Sequence, residues 1–199
     1  MLPHLIEVTM KCDVILAGVG GQGVLSVAAV ISLAAVEKGL EVRQSEVHGM
    51  AQRGGAVLAH LRIADKPIAS DLVPRGGAGL ILSMEPLESL RYASWLSPEG
   101  TLITAAEPLI NIPNYPEIEK IVEAIKAFPR YRIVEAAALA KEAGLARAVN
   151  MVIVGAASAF LPIPPETLEG TIEKMFEGKG KNAVEANKKA FGLGRNAVK

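Results

Sequence analysis

Glu46, His48, Gln52 and Arg53 fall in one stretch, residues 46–55, together with Gly49, Gly54 and Gly55. An imidazole exchanges a proton near neutral pH, and a guanidinium grips a carboxylate through two parallel N–H donors. The stretch shows neither the twofold period of a strand nor the 3.6-residue period of a helix. A segment whose only task is connection is shorter. Two readings stay open. Gly54 and Gly55 shape a tight crossing with solvated charges around it, or His48 and Arg53 stand at the carboxyl end of a sheet, where open α/β folds place ligands.

The second feature with chemistry is Gly18-Val19-Gly20-Gly21-Gln22-Gly23. It follows the apolar run Cys12-Asp13-Val14-Ile15-Leu16-Ala17 and precedes a helix-compatible stretch, residues 24–38. In that strand, turn and helix order the first glycine allows a tight turn, the second lets backbone approach an anion, and the third lets helix pack close to strand. Gly18, Gly20, Gly21, Gln22 and Gly23 are therefore a candidate anion loop. A dinucleotide would also need an acid near the end of the second strand, and there Arg43-Gln44-Ser45 stands instead, with Glu41 at the strand's start. No Lys-Ser or Lys-Thr follows the glycines, so the loop is not a P-loop. The alternative reading, of equal standing, is that the glycines serve only to seat the helix on the sheet.

Other polar residues carry less. His60 and Arg62 alternate on one face of a strand at residues 56–63, opposite Val57, Ala59, Leu61 and Ile63; they read as a solvated or interface face. His4 has no evident role. Asn150 opens a very apolar helix and reads as a cap or a buried hydrogen-bonded group, with a site role as the weaker option. Cys12, the one cysteine, reads as a small core hydrophobe, and it can form neither an internal disulfide nor a four-cysteine cluster site. No His, Cys, Asp or Glu grouping has metal-ligand spacing, so no metal site is expected.

The elements that must position these residues alternate. Strands are predicted at 12–17, 41–45, 56–63, 79–83, 101–104 and 131–135, with a turn at 97–100. Helices are predicted at 24–38, 86–92, 118–128, 137–143, 149–160, 167–176 and 182–191. Asn114-x-x-Glu117 has the form of a helix-start box, and Ile118, Ile121, Val122, Ile125 and Phe128 follow helical spacing. Pro108, Pro113 and Pro116 make the preceding connection rigid. The fold class is α/β: a Rossmann-like open sheet, mostly parallel, with helices on both faces. Because 56–63 follows the second strand with no helix between, at least one antiparallel or hairpin-linked strand is expected.

At 199 residues one domain, 1–199, is expected. Twenty-one basic against 21 acidic side chains leave no net charge, and only 4% of residues are aromatic, which argues against nucleic acid as a partner. The apolar runs at 24–36 and 151–165 are short of a bilayer span, so no membrane partner is expected. Residues 1–8 lack the features of a secretory signal, and the expected location is cytoplasmic.

The tract from Ser45 to Gly55, taken with the glycine loop, Ser83-Met84-Glu85-Pro86, Asn150-Met151 and residues 187–192, resembles the gamma-type domain of the 2-oxoacid:ferredoxin oxidoreductases. Within that family it is most similar to the small (beta) subunit of the indolepyruvate branch, and the resemblance covers nearly the whole chain. It implies a subunit that binds no cofactor itself. Thiamine diphosphate, Mg and iron–sulfur clusters would belong to a large catalytic alpha subunit, with coenzyme A as substrate and ferredoxin as acceptor through the complex. It also implies that this chain walls the active site, with Glu46, His48, Gln52 and Arg53 as interface or active-site candidates. A gamma subunit acting on another 2-oxoacid such as pyruvate, an autonomous Rossmann-type nucleotide-binding oxidoreductase, and a pure scaffold remain as alternatives.

Overall fold

The computed structural model describes residues 10–48 and 54–198. Among these residues six strands form one sheet: β1 (Lys11–Val19), β2 (Glu41–His48), β3 (Ala56–Ala64), β4 (Ala78–Ser83), β5 (Leu96–Ala105) and β6 (Tyr131–Val134), in the order β2-β3-β1-β4-β5-β6. β3 runs antiparallel to both of its neighbours, whereas β1, β4, β5 and β6 pair in parallel. The expected hairpin-linked strand is thus β3, inserted between β1 and β2.

Among the described residues seven α-helices cover the sheet: α1 (Val24–Glu37), α2 (Pro86–Arg91), α3 (Ile118–Lys126), α4 (Ala136–Glu142), α5 (Val149–Ala157), α6 (Pro165–Phe176) and α7 (Lys181–Asn196). Alternate residues of each central strand feed two separate cores. Val14, Leu16, Leu80, Leu82 and Ile103 pack with α1 and α4 to α7. Ile15, Ile81 and Leu102 pack with α2 and α3 on the other face. Burial on both sides explains why β1 and β4 are continuous apolar runs rather than alternating ones. α5 and α7 cross with their backbones nearly touching. A Cβ on Gly155 would lie 2.0 Å from the Phe191 carbonyl oxygen, and one on Gly194 would lie 1.9 Å from that of Val152.

Four local expectations are corrected. β2 continues through His48, because Glu46, Val47 and His48 pair with Ala59, Leu58 and Val57 of β3; cross-strand bonding extends a strand that its polar composition hides. The predicted turn at 97–100 lies inside β5. Ala78 pairs with Leu96 and Leu80 with Thr101, so the Pro98 segment is a bulge that needs no ladder donor from the proline. Asn114 does not cap α3; Glu117 holds the cap position without a side-chain bond to it.

The fourth correction concerns His60 and Arg62, which are not a solvated face. The crossing between β3 and β4, residues 65–77, folds over them. His60 is 5% exposed, and its Nδ1 accepts from the Val73 N–H at 3.1 Å. Arg62 grips the buried Asp13 carboxylate through Nε at 2.8 Å and Nη2 at 3.2 Å, while its Nη1 donates to the Ser70 and Leu72 carbonyls. Burial first, and the neighbouring guanidinium second, hold the His60 pKa below its ordinary value. These polar groups fasten the crossing to the sheet.

Candidate functional site

In an open sheet, ligands bind where helices from adjacent strands leave toward opposite faces. Here that place is the gap between the carboxyl ends of β1 and β4, since α1 and α2 pack on different cores. Gly18 forms its floor. A Cβ there would meet Val24 Cγ2 at 2.8 Å and Met84 Cβ at 3.0 Å, so this first glycine supplies the close helix packing expected of the third. Gly21 and Gly23 adopt φ of +101° and +83°, the left-handed region that disfavours a Cβ.

Gln22 occupies the gap itself. Its Oε1 accepts from the Val19 N–H at 2.7 Å, and its Nε2 donates to the Met84 carbonyl at 3.1 Å. The side chain thus splints β1 to β4 and is not free for a ligand. Gly20 is committed as well: its N–H donates to the Gly55 carbonyl at 2.8 Å, and its carbonyl accepts from Gly54 at 3.3 Å. The expectation that the second glycine meets an anion is therefore corrected. Its polar groups bolt the loop to the exit of the segment at 46–55.

What remains for a ligand lies beside the loop. A cleft of about 520 Å³ is lined by Gly21, Gln22, Gly23, Met84, Arg147, Val149 and Asn150. The positive end of α1's dipole opens into it. Arg147 is exposed and has no ion-pair partner among the described residues. Among the described residues no acidic side chain lines the cleft, so its electrostatics suit an anionic group. Asn150, read from sequence chiefly as a cap, stands in this wall, with Nδ2 3.1 Å from where a Gly23 Cβ would be. Its spacing from the glycine loop along the chain offered no signal of that meeting.

A classical dinucleotide mode does not fit. Glu46, near the end of the extended β2, is the acid that would be asked to hold a ribose, but β3 lies between β2 and β1. That places Glu46 two strand spacings from β1, about 9.5 Å, instead of one. Glu46 is exposed on the strand face it shares with Ala59. His48 ends β2 opposite Val57, at the carboxyl rim. Gln52 and Arg53 lie outside the described residues, as does His4. Of the sequence-predicted set, the structure brings together Gly21, Gln22 and Gly23 at the cleft, Gly18 beneath the Gln22 side chain, and Gly20 with Gly54 and Gly55.

A second polar centre went unread in the sequence. Glu85, 1% exposed, follows β4 and caps α2 by accepting from the Glu88 N–H at 2.8 Å. Its other oxygen accepts from the Leu109 N–H at 3.3 Å and from the Tyr115 hydroxyl. Burial and this carboxylate push the Tyr115 pKa up, which keeps the phenol a donor. Asn111 Nδ2 donates to the Gly54 carbonyl at 2.9 Å, tying the same connection to the glycine loop. Cys12 behaves as a core thiol: burial, then Asp13, pushes its pKa up to about 11. Among the described residues no three His, Cys, Asp or Glu side chains converge as a metal site.

A family model described as pyruvate ferredoxin/flavodoxin oxidoreductase matches residues 13–197. The indolepyruvate oxidoreductase subunit IorB of Archaeoglobus fulgidus is 37% identical over 94% of this chain and 95% of its own length. The crystal structure of pyruvate oxidoreductase subunit PORC from Thermotoga maritima shares the fold, with a TM-score of 0.73 at 23% identity, over 95% of this chain and 97% of that one. The 2-oxoglutarate:ferredoxin oxidoreductase of Magnetococcus marinus, solved with 2-oxoglutarate, coenzyme A and succinyl-CoA, shares it with a TM-score of 0.74 at 20% identity. There the match covers 94% of this chain but 31% of the longer one.

Proposed function

This chain belongs to the pyruvate ferredoxin/flavodoxin oxidoreductase family, and we propose that it is the small subunit of a cytoplasmic enzyme that oxidatively decarboxylates indolepyruvate, an aryl 2-oxoacid, to its acyl-coenzyme A with ferredoxin as acceptor. The observation that carries this reading is the 37% identity to an indolepyruvate oxidoreductase subunit over nearly all of both chains.

The residue chemistry supports a division of labour. One cysteine with a thiol pushed up to about 11 does not fit an iron–sulfur cluster, which needs several thiolates. The chain also has no Gly-Asp-Gly run of the kind that holds thiamine diphosphate through a metal. Thiamine diphosphate, its magnesium and the clusters are therefore assigned to a large catalytic subunit, and this chain is inactive alone. Thiamine diphosphate on that subunit supplies the carbanion chemistry of decarboxylation. In this reading the carboxyl rim of the sheet faces the catalytic subunit and excludes water, with Glu46, His48, Gln52 and Arg53 at the edge of the active site. The glycine-loop cleft, with Arg147 and Asn150, takes an anionic group.

The test is reconstitution with the large subunit. The complex should reduce ferredoxin in the presence of indolepyruvate and coenzyme A, faster than with pyruvate, and the isolated chain should show no turnover. His48→Ala and Arg53→Ala should lower kcat in the complex; unchanged turnover and unchanged assembly would remove both from the site. Turnover by the isolated chain, or tight nucleotide binding to it, would overturn the reading as a whole.

A further inference from the structure

We infer that Leu109 and Ile110 form a rigid apolar prow by which this chain docks the large catalytic subunit, an inference that rests on the function just proposed. Ile110 is 72% exposed and Leu109 36%, in the connection between β5 and α3. A single exposed aliphatic residue means little. These two are held outward by hydrogen bonds to the buried Glu85 carboxylate and to the Gly54 carbonyl. The Glu85 carboxylate fastens Leu109 through its N–H and Tyr115 through its hydroxyl, so the connection is clamped on both sides of Ile110. Asn111, the next residue, is tied to the Gly54 carbonyl. Pro108 and Pro113 limit the backbone between the clamps. A tip ordered before contact loses little conformational freedom on association, which is what a docking anchor requires.

The position of the prow points to its occupant. It stands at the carboxyl rim beside Gly54, the exit of the segment at 46–55, and Val47 and Leu25 are exposed at the same rim. The same fold occurs as a separate chain in Thermotoga maritima and as about a third of one longer chain in Magnetococcus marinus. A domain found in both settings has a surface that lies against the rest of the enzyme, whether or not a peptide bond joins them. The catalytic subunit is therefore the partner, rather than a second copy of this chain.

The experiment measures binding of the large subunit by sedimentation and calorimetry. Ile110→Glu should raise Kd by roughly tenfold or more, as loss of a central anchor does, and Ile110→Ser should weaken binding in the same direction. Leu72→Glu, at an exposed leucine on the crossing held by Arg62, should leave Kd unchanged. Unchanged melting temperatures would confirm that the variants fold. Normal assembly of both Ile110 variants would overturn this inference alone, as would self-association of the isolated chain that Ile110→Glu abolishes. Failure of the unsubstituted chain to bind any large subunit would overturn it together with the proposed function.

Discussion

Replacing Gly194 by alanine should unfold this protein at a much lower temperature, whereas the same change two residues earlier should raise it. At Gly194 the new Cβ would sit 1.9 Å from the Val152 carbonyl oxygen. A comfortable carbon–oxygen approach is about 3.3 Å, so α5 and α7 would have to part by roughly 1.4 Å. The obstacle is backbone, which cannot rotate away as a side chain would. Overpacking in a tight core costs about 1–3 kcal/mol, and a backbone collision belongs at or above the upper end. At about 2–4 °C per kcal/mol for a chain of this size, Tm falls by roughly 6–12 °C. Gly192 lies on the same helix with nothing within 4 Å of its would-be Cβ. There alanine lowers only the entropy lost on forming the helix, worth about 1 kcal/mol, and Tm rises by roughly 2–4 °C. Differential scanning calorimetry of the two variants decides it. A Gly194→Ala protein that melts within a degree or two of the parent would show that the two helices are not in backbone contact. The effect reaches the cleft as well, because α5 carries Asn150 at its start.

Gln22→Ala should cost about 1–3 kcal/mol, read from the urea midpoint, since it strands the Val19 N–H and the Met84 carbonyl. His60 should make stability depend on pH. Its folded pKa lies below the ordinary 6.5, so the unfolded chain binds the proton more tightly; stability is full above about pH 6.5 and falls as pH drops toward the folded pKa. His60→Gln should flatten that slope in urea titrations compared at about pH 7.5 and about pH 5.5, and an unchanged slope would discard the assignment. Cys12, with a pKa of about 11, should resist iodoacetamide at pH 8, where only about one thiol in a thousand is ionised, and react readily once urea unfolds the chain.

Much of the architecture was open to reading because burial repeats along the chain. The unbroken apolar run of β1 marks a strand covered on both sides, and the glycines after it mark the turn into α1. The missing helix between β2 and β3 announced the reversed strand. The errors fall where composition and pairing disagree. Glu46, Val47 and His48 look like loop residues, yet β3 supplies their hydrogen-bond partners. Ser97-Pro98-Glu99-Gly100 has turn chemistry, yet it is spent on a bulge within β5. His60 and Arg62 look solvated until the crossing at 65–77 covers them.

The site divides along the same line. Residue order alone determined that a glycine loop would join the first strand to the first helix, that one cysteine could hold no cluster, and that polar groups would gather at 46–55. Whether those parts could serve a nucleotide was decided by strand order, which sets Glu46 two strands from β1 and fills the switch-point gap with Gln22. The meeting of Asn150 with Gly23, and the clamping of Leu109 and Tyr115 by Glu85, likewise join residues far apart in the chain. Local periodicity records which side of an element is buried. It carries no information about which distant element does the burying, and that choice is made by packing.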